Sequence, residues 1–281
     1  MKSWPVKTRV ILFVLPIACL VLSVLLYNVN RTPPRVTEGN KKVAVNDFSV
    51  LVEAAETALP KDLAQKWKLL SARTGQPTKL NEKISWQDSV IAFWDNINRP
   101  DISAVFSKKK AESTGLAKDW NYSGQRFYFA VRFSREPSKQ ELLYTAAREC
   151  FEKTLMIEPD NINAKIDLAS CLVEGSREPM KGIAILREIE KKDSNNVRLQ
   201  LSFGFFSAKS QQWDRAIKRF KKVLALDSGY IEAHLHLADA YEQSGKLPEC
   251  INELERFVRK TSDPMAKTTI EEYINKLKEK N

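Results

Sequence analysis

Histidine and glycine are scarce in this 281-residue chain, and their scarcity excludes several kinds of active site. The two histidines, His234 and His236, point to different faces of a helix and cannot share a metal ion. The nine glycines form no G-x-x-x-x-G-K-S/T phosphate loop, and neither an H-E-x-x-H nor a G-x-S-x-G motif is present. We therefore predict no catalytic residue, no metal ion and no cofactor, and we do not expect an enzyme.

Cysteine is also rare, and its spacing fits packing better than chemistry. None of the four cysteines belongs to a C-x-x-C pair. Cys19 lies in a long apolar run, whereas Cys150, Cys171 and Cys250 each lie within an apolar helical pattern, which indicates burial in a core. The sequence does not decide whether Cys150 and Cys171 form a disulfide.

The long apolar run extends over Val10–Val29 and contains no charged residue. As a helix it would be about 30 Å long, which is the thickness of the hydrocarbon core of a bilayer. No small-x-small cleavage site follows it, and a lipoprotein signal at Cys19 would have Pro16 where leucine is usual. We therefore predict a single transmembrane anchor, in preference to a cleavable secretory signal or a lipoprotein signal. It lies between a basic tail (residues 1–9) and a tether (residues 30–45).

Positive charge is concentrated around this anchor. Of the net charge of +10, residues 1–42 carry +6, where anionic lipid headgroups would attract them. Basic residues flank both ends of the run, but a short basic tail usually stays in the cytoplasm, so we expect the following domain outside it. We predict a lipid bilayer as a partner and no nucleic acid, because the helical spacing of Trp120 and Phe127 favours core packing over RNA stacking.

A 34-residue period in the last third of the chain is its strongest pattern. Val197–Tyr230 and Ile231–Pro264 align without a gap, and large and small residues recur at the same offsets. The aligned residues are Phe203-Gly204 over Leu237-Ala238, Ala216 over Cys250, Phe220 over Leu254, and Val223 over Phe257. Antiparallel helices approach closely only where a small residue leaves room for a large one. The pattern therefore predicts stacked helical hairpins.

The period and the large–small offsets resemble tetratricopeptide (TPR) repeats, over roughly Lys83–Asn281. The resemblance implies an all-α fold in which a TPR-type α-solenoid follows the transmembrane helix. The expected segments are an N-terminal helical hairpin (46–82), a degenerate TPR-like repeat (83–116), a TPR with an insertion in its first helix or in the turn near Pro137 (117–161), three further TPRs (162–196, 197–230 and 231–264) and a capping helix (265–281). No strand is expected.

In the TPR family, first helices line a concave groove that holds a peptide or helix of a partner. The resemblance places nine residues in such a groove: Tyr128, Ile166, Ser170, Arg198, Leu201, Phe205, Leu235, Asp239 and Glu242. The centre of this set is apolar and one end is acidic, so a complementary partner segment has apolar anchors and a basic flank. The clamp for acidic chaperone tails is not expected, because Asn121 and Gln125 stand where Lys and Asn are required.

The architecture resembles single-span TPR proteins of bacterial inner membranes. We hypothesise a membrane-anchored adaptor or scaffold that binds a protein partner in the groove. Two alternatives are an envelope assembly factor with holdase-like binding of immature chains, and a membrane scaffold that self-assembles as a homo-oligomer.

Overall fold

Thirteen α-helices and one 3-10 turn make up the secondary structure of residues 48–72, 79–176 and 178–279, which are the residues that the structure, a computed structural model, describes. The helices are α1 (Phe48–Thr57), α2 (Lys61–Ser71), α3 (Leu80–Asn96), α4 (Pro100–Thr114), α5 (Ala117–Ala130), α6 (Pro137–Ile157), α7 (Ile162–Gly175), α8 (Pro179–Lys192), α9 (Val197–Lys209), α10 (Trp213–Leu226), α11 (Glu232–Gln243), α12 (Leu247–Lys260) and α13 (Pro264–Lys278). The 3-10 turn (Val131–Phe133) follows α5. Within these ranges there is no strand, and the all-α prediction is confirmed for them.

The described residues form two compact units, an N-terminal unit of residues 48–193 and a C-terminal unit of residues 194–279. None of the described helices combines the length and the apolar character needed to cross a bilayer. The predicted anchor (residues 10–29) and tether (residues 30–45) lie outside the described residues.

Aromatic side chains dominate one core of the N-terminal unit. The ring of Trp67 in α2 lies 5.4 Å from Phe93 and 5.0 Å from Trp94, both in α3, measured between ring centroids. The Trp86 indole N–H donates to the Leu70 carbonyl at 2.7 Å. Because buried aromatic rings remove large apolar areas from water, these contacts fix α2 against α3.

Local sequence signals place the ends of several helices. Pro100 occupies the first turn of α4, where a missing N–H costs nothing, and Gly115 follows the last residue with φ of +67°, which glycine adopts readily. The side chains of Asn161 and Asn196 accept backbone N–H groups at 3.0 Å at the starts of α7 and α9, and Asp263 caps α13 in the same way. These caps define where the hairpins turn.

The extra residues expected between residues 117 and 161 lie partly in the turn near Pro137, one of the two predicted places, and partly in the second helix, which was not predicted. The first helix of that segment, α5, has 14 residues, whereas the second helix, α6, has 21 and begins at Pro137. The 3-10 turn takes up three more. The extra residues therefore extend the second helix and its connection, because Pro137 is favourable at a helix start and opens α6 early.

Two glycines allow helices of a hairpin to approach an aromatic ring. A Cβ added at Gly204 in α9 would lie 2.4 Å from the ring of Phe220 in α10. At Gly124 in α5, it would lie 2.6 Å from the ring of Phe151 in α6. Both distances are well inside van der Waals contact, so the rings occupy the space that any larger residue would need. The large–small offsets of the sequence therefore mark real contacts between paired helices.

A buried polar pair joins α11 to α12 in the C-terminal unit. His234 Nδ1 lies 2.6 Å from Glu253 Oε2, and both side chains are buried. The guanidinium of Arg256 pairs with the second oxygen of Glu253 at 3.2 Å. Buried polar groups require such partners, and His234 is therefore a structural residue of this hairpin.

The three described cysteines are buried free thiols, so no Cys150–Cys171 disulfide is formed. Burial raises the pKa of Cys150 to about 11 and that of Cys250 to about 12, and it raises the pKa of Cys171 as well. These thiols are therefore protonated at neutral pH. Within the described ranges, no cluster of His, Cys, Asp and Glu side chains has the arrangement of a metal site.

Candidate protein-binding face

The C-terminal unit places its two first helices, α9 and α11, side by side. The ring of Phe205 in α9 lies 4.7 Å from the imidazole of His236 in α11, measured between centroids. The ring of Phe220 in α10 contacts both, at 5.5 Å and 5.3 Å. We define the first-helix face as the surface that six side chains of α9 and α11 form: Leu201, Phe205, Leu235, His236, Asp239 and Glu242.

The apolar part of this face consists of one exposed side chain, Phe205, and two half-buried leucines. Leu201 and Leu235 are half-buried and pack against the core of the unit. Phe205 is 42% exposed although its ring is held edge-on by two other rings. Because it is both fixed and accessible, Phe205 has the properties of an anchor for an apolar partner side chain.

Burial keeps the imidazole of His236 neutral. It lowers the pKa of His236 to about 4, so this ring carries no charge at neutral pH. His236 therefore extends the apolar surface around Phe205. It was not among the predicted groove residues, because its offset within the repeat is not one of those that the resemblance assigns to the groove.

The acidic part of the face lies on α11. Burial raises the pKa of Asp239, and the neighbouring carboxylate of Glu242 raises it further. The Tyr273 hydroxyl, on the capping helix α13, lies 2.7 Å from each carboxylate oxygen of Glu242 and donates its hydrogen to that group. Neither acid forms an ion pair within the described residues. A cation supplied by a partner would therefore relieve the repulsion between the two carboxylates.

Arg198 also lies on α9, in its first turn, and is partly exposed. The predicted groove residues of the C-terminal unit thus lie on two helices, Arg198, Leu201 and Phe205 on α9 and Leu235, Asp239 and Glu242 on α11. The capping residue Tyr273 was missed as a contributor to this face, because an apolar helical stripe gives no sign that its hydroxyl reaches a groove carboxylate.

The predicted groove residues of the N-terminal unit, Tyr128, Ile166 and Ser170, form their contacts within that unit. The Tyr128 hydroxyl donates to Glu174 at 2.9 Å, and the Tyr144 hydroxyl donates to the same carboxylate at 3.2 Å. The side-chain amide of Gln125 donates to Asp167 at 3.0 Å. Burial and the Glu174 charge raise the pKa of Tyr128 well above its usual value. These bonds tie α5 and α6 to α7 and leave Tyr128 half-buried.

Ile166 and Ser170 do not form an accessible surface. Ile166 is 1% exposed and Ser170 is 8% exposed, and the Ser170 hydroxyl donates to the Ile166 carbonyl one helical turn away. Burying an isoleucine side chain gains about 1.5–3 kcal/mol, which favours packing over exposure at this position. We therefore correct the prediction for these two residues, which are packing residues of α7.

Comparison with known proteins gives one family match and a set of distant structural similarities. Residues 207–269 match the tetratricopeptide repeat family. No curated protein matches the chain.

Three solved structures illustrate the structural similarity. A thermophilic TPR protein from Thermus thermophilus is 15% identical, with a TM-score of 0.48 over 71% of this chain and 98% of that one. PilW, a type IV pilus biogenesis factor, is 15% identical, with a TM-score of 0.47 over 63% of this chain and 77% of that one. MamA from Desulfovibrio magneticus is 14% identical, with a TM-score of 0.44 over 65% of this chain and 97% of that one. The family match is confined to residues 207–269, and the small–large contact between α9 and α10 is the kind of close helix pairing that the 34-residue pattern predicts.

Proposed function

We propose that this protein is a membrane-anchored adaptor that binds a segment of a partner protein on the first-helix face. TPR repeats serve protein–protein interaction, and residues 207–269 match that family. The observation that carries the proposal is the exposed ring of Phe205, held edge-on by two other rings, together with two carboxylates of the adjacent α11 that form no ion pair among the described residues. A partner segment with an apolar residue and a nearby Lys or Arg complements this surface.

The decisive experiment compares partner capture by three forms of the full chain. We would crosslink the protein in its native membrane and purify the wild type, Phe205→Ala and Met265→Ala, after verifying equal helix content. Met265, on α13, is an exposed apolar residue of the same unit and is not one of the six residues that form the first-helix face, so it provides a matched control. We expect Phe205→Ala to reduce capture at least about tenfold, as for other aromatic anchors in interfaces, and Met265→Ala to leave it unchanged.

The acidic pair gives an independent arm of this experiment. Asp239→Asn and Glu242→Gln preserve shape, and the amide oxygen introduced by the second substitution would still accept a hydrogen bond from Tyr273. We expect weaker capture and a smaller dependence on salt for both variants, because each removes a charge from the contact. Equal capture by all forms would refute the first-helix face as the binding surface. Recovery of many unfolded chains in place of one partner would favour the holdase-like alternative.

The membrane part of the proposal depends on the uncharged run of residues 10–29. An uncleaved anchor predicts that the full chain stays in the membrane after alkaline carbonate extraction and that Arg substitutions at Leu15 and Leu20 release it. With the N-terminus in the cytoplasm of a bacterial cell, protease added to spheroplasts would digest residues 48–279. Complete extraction of the chain by carbonate would contradict the anchor. It would leave the partner-binding proposal intact.

A further inference from the structure

A row of exposed aromatic side chains lies along α5 in the N-terminal unit. Tyr122 and Phe129 are 47% and 41% exposed, and Phe133, in the 3-10 turn that follows, is 44% exposed. The rings of Phe129 and Phe133 lie 5.0 Å apart. Together with Arg126, these residues recur every three or four positions, the spacing that places side chains on one side of a helix. We call Tyr122, Arg126, Phe129 and Phe133 the aromatic strip.

The strip is held in place by polar contacts that leave its rings accessible. The Arg126 guanidinium lies over the ring of Tyr122, 5.2 Å from its centroid, and donates to the Tyr122 hydroxyl at 2.7 Å. It also donates to Asp95 and Ser103, which link it to α3 and α4. Three exposed large aromatic side chains on one helix side form an apolar patch of the kind that marks an interaction site.

We propose that the aromatic strip rests on the headgroup region of an anionic bilayer. Aromatic rings beside arginines are the combination that membrane interfaces favour. Three further cations, Lys118, Arg132 and Arg135, lie within a few residues of the strip, are exposed, and form no ion pair among the described residues. Their charge selects an anionic surface over a neutral one.

This inference rests on the proposed anchor, which keeps the strip close to the bilayer. The 18 residues from 30 to 47 can extend over at most about 60 Å. Phe48, the first described residue, packs against Phe127 of α5, with ring centroids 5.2 Å apart. The chain therefore reaches the helix that bears the strip within 19 residues of the proposed anchor. At the high local lipid concentration that a short tether creates, a weak surface contact is sufficient.

Hydroxyl-radical footprinting of the full chain in nanodiscs measures the accessibility of the strip directly. We would compare nanodiscs of phosphatidylcholine with nanodiscs that also contain 30% phosphatidylglycerol. Oxidation of Tyr122, Phe129 and Phe133 would be referenced to Met180, an exposed side chain elsewhere in the unit. We expect at least a threefold lower relative oxidation in the anionic nanodiscs. An equal ratio in the two lipids would overturn the inference.

Charge variants separate lipid contact from other causes of protection. Arg132→Ser/Arg135→Ser should abolish the difference between the lipids, whereas Lys66→Ser/Lys153→Ser, which removes two exposed cations elsewhere in the unit, should preserve it. Protection that persists in the first variant would argue for a different occupant and against the bilayer. Co-elution of the chain with the nanodiscs tests the anchor separately. If the chain does not co-elute, unchanged oxidation with anionic vesicles added would refute the strip as well.

Discussion

Replacing Gly204 with alanine tests whether the ring of Phe220 sets the spacing of α9 and α10. A Cβ at position 204 lies 2.4 Å from that ring, where apolar atoms need about 3.5 Å or more. The ring or a helix must therefore move, which costs about 1–3 kcal/mol as overpacking. Alanine also favours the helix over glycine by about 1 kcal/mol. We expect Gly204→Ala alone to destabilise the protein by up to about 2 kcal/mol.

The following hairpin indicates the compensating change. Ala238 stands at the position equivalent to Gly204, and Leu254 at the position equivalent to Phe220. In that hairpin alanine replaces glycine, and leucine replaces the phenylalanine that it would face. In a Phe220→Leu background the ring is absent, and Gly204→Ala should then stabilise the protein by about 0.5–1 kcal/mol. The two substitutions should therefore couple by about 1–3 kcal/mol, the size of the relieved overpacking.

The assay is urea unfolding of the four proteins of this cycle, followed by far-ultraviolet circular dichroism of the full chain in mild detergent. The wild type, both single variants and the double variant should share the same dependence on urea and differ in midpoint. Gly124→Ala with Phe151→Leu, where the Cβ distance is 2.6 Å, is an independent repetition of the experiment. Additivity within about 0.3 kcal/mol would refute the idea that ring contact sets the spacing.

Two further predictions concern titratable groups. Burial alone would raise the pKa of Asp101, but hydrogen bonds and charges from Arg99 and Lys139 lower it to about 2. The contribution of Asp101 to stability should therefore be complete above about pH 4 and decline toward pH 2. Asp101→Asn should lower the free energy of unfolding by about 1–3 kcal/mol at pH 7. When urea midpoints are measured from pH 7 to 2.5, they should fall less steeply at acid pH in this variant than in the wild type. In a Cys19→Ser variant, Ellman's reagent at pH 8 should label the three buried thiols at least about 100-fold more slowly than free cysteine, because their raised pKa values leave little thiolate. Fast labelling of the native protein would contradict a closed core.

The hairpins of the C-terminal unit could be predicted from the sequence because their contacts depend on residue size at fixed offsets. A glycine facing a phenylalanine, as at Gly204 and Phe220, has few alternatives once two helices are antiparallel. Helix ends were equally readable where one residue type determines the backbone, as at Pro100 and Gly115. The length of α6 could not be predicted from the sequence, because an insertion can extend a helix or a turn at similar cost in free energy.

The candidate site was less predictable because a repeat pattern gives the direction of a side chain and not its depth. Ile166 and Leu201 have the same offset within their repeats, yet Ile166 is buried and Leu201 is only half-buried. Depth depends on neighbours that are distant in the sequence, such as those that surround Phe205. A single sequence shows the repeat period, but it does not show these contacts between distant residues.

The stretch from Trp120 to Phe133 illustrates how far helical spacing can be used. Its apolar spacing led to the expectation of core packing, and Phe127 is indeed fully buried while Trp120 packs against the same core. Phe129, only two residues after Phe127, points away from that core and is exposed. A helix presents residues two apart to nearly opposite sides, so an aromatic-rich helix with one buried side must expose the rest or bury them against another surface. For this reason the aromatic strip is better explained by a second surface that the chain contacts than by surplus core residues. The bilayer, into which we propose that residues 10–29 insert 18 residues before Phe48, is the surface that its rings and cations fit best.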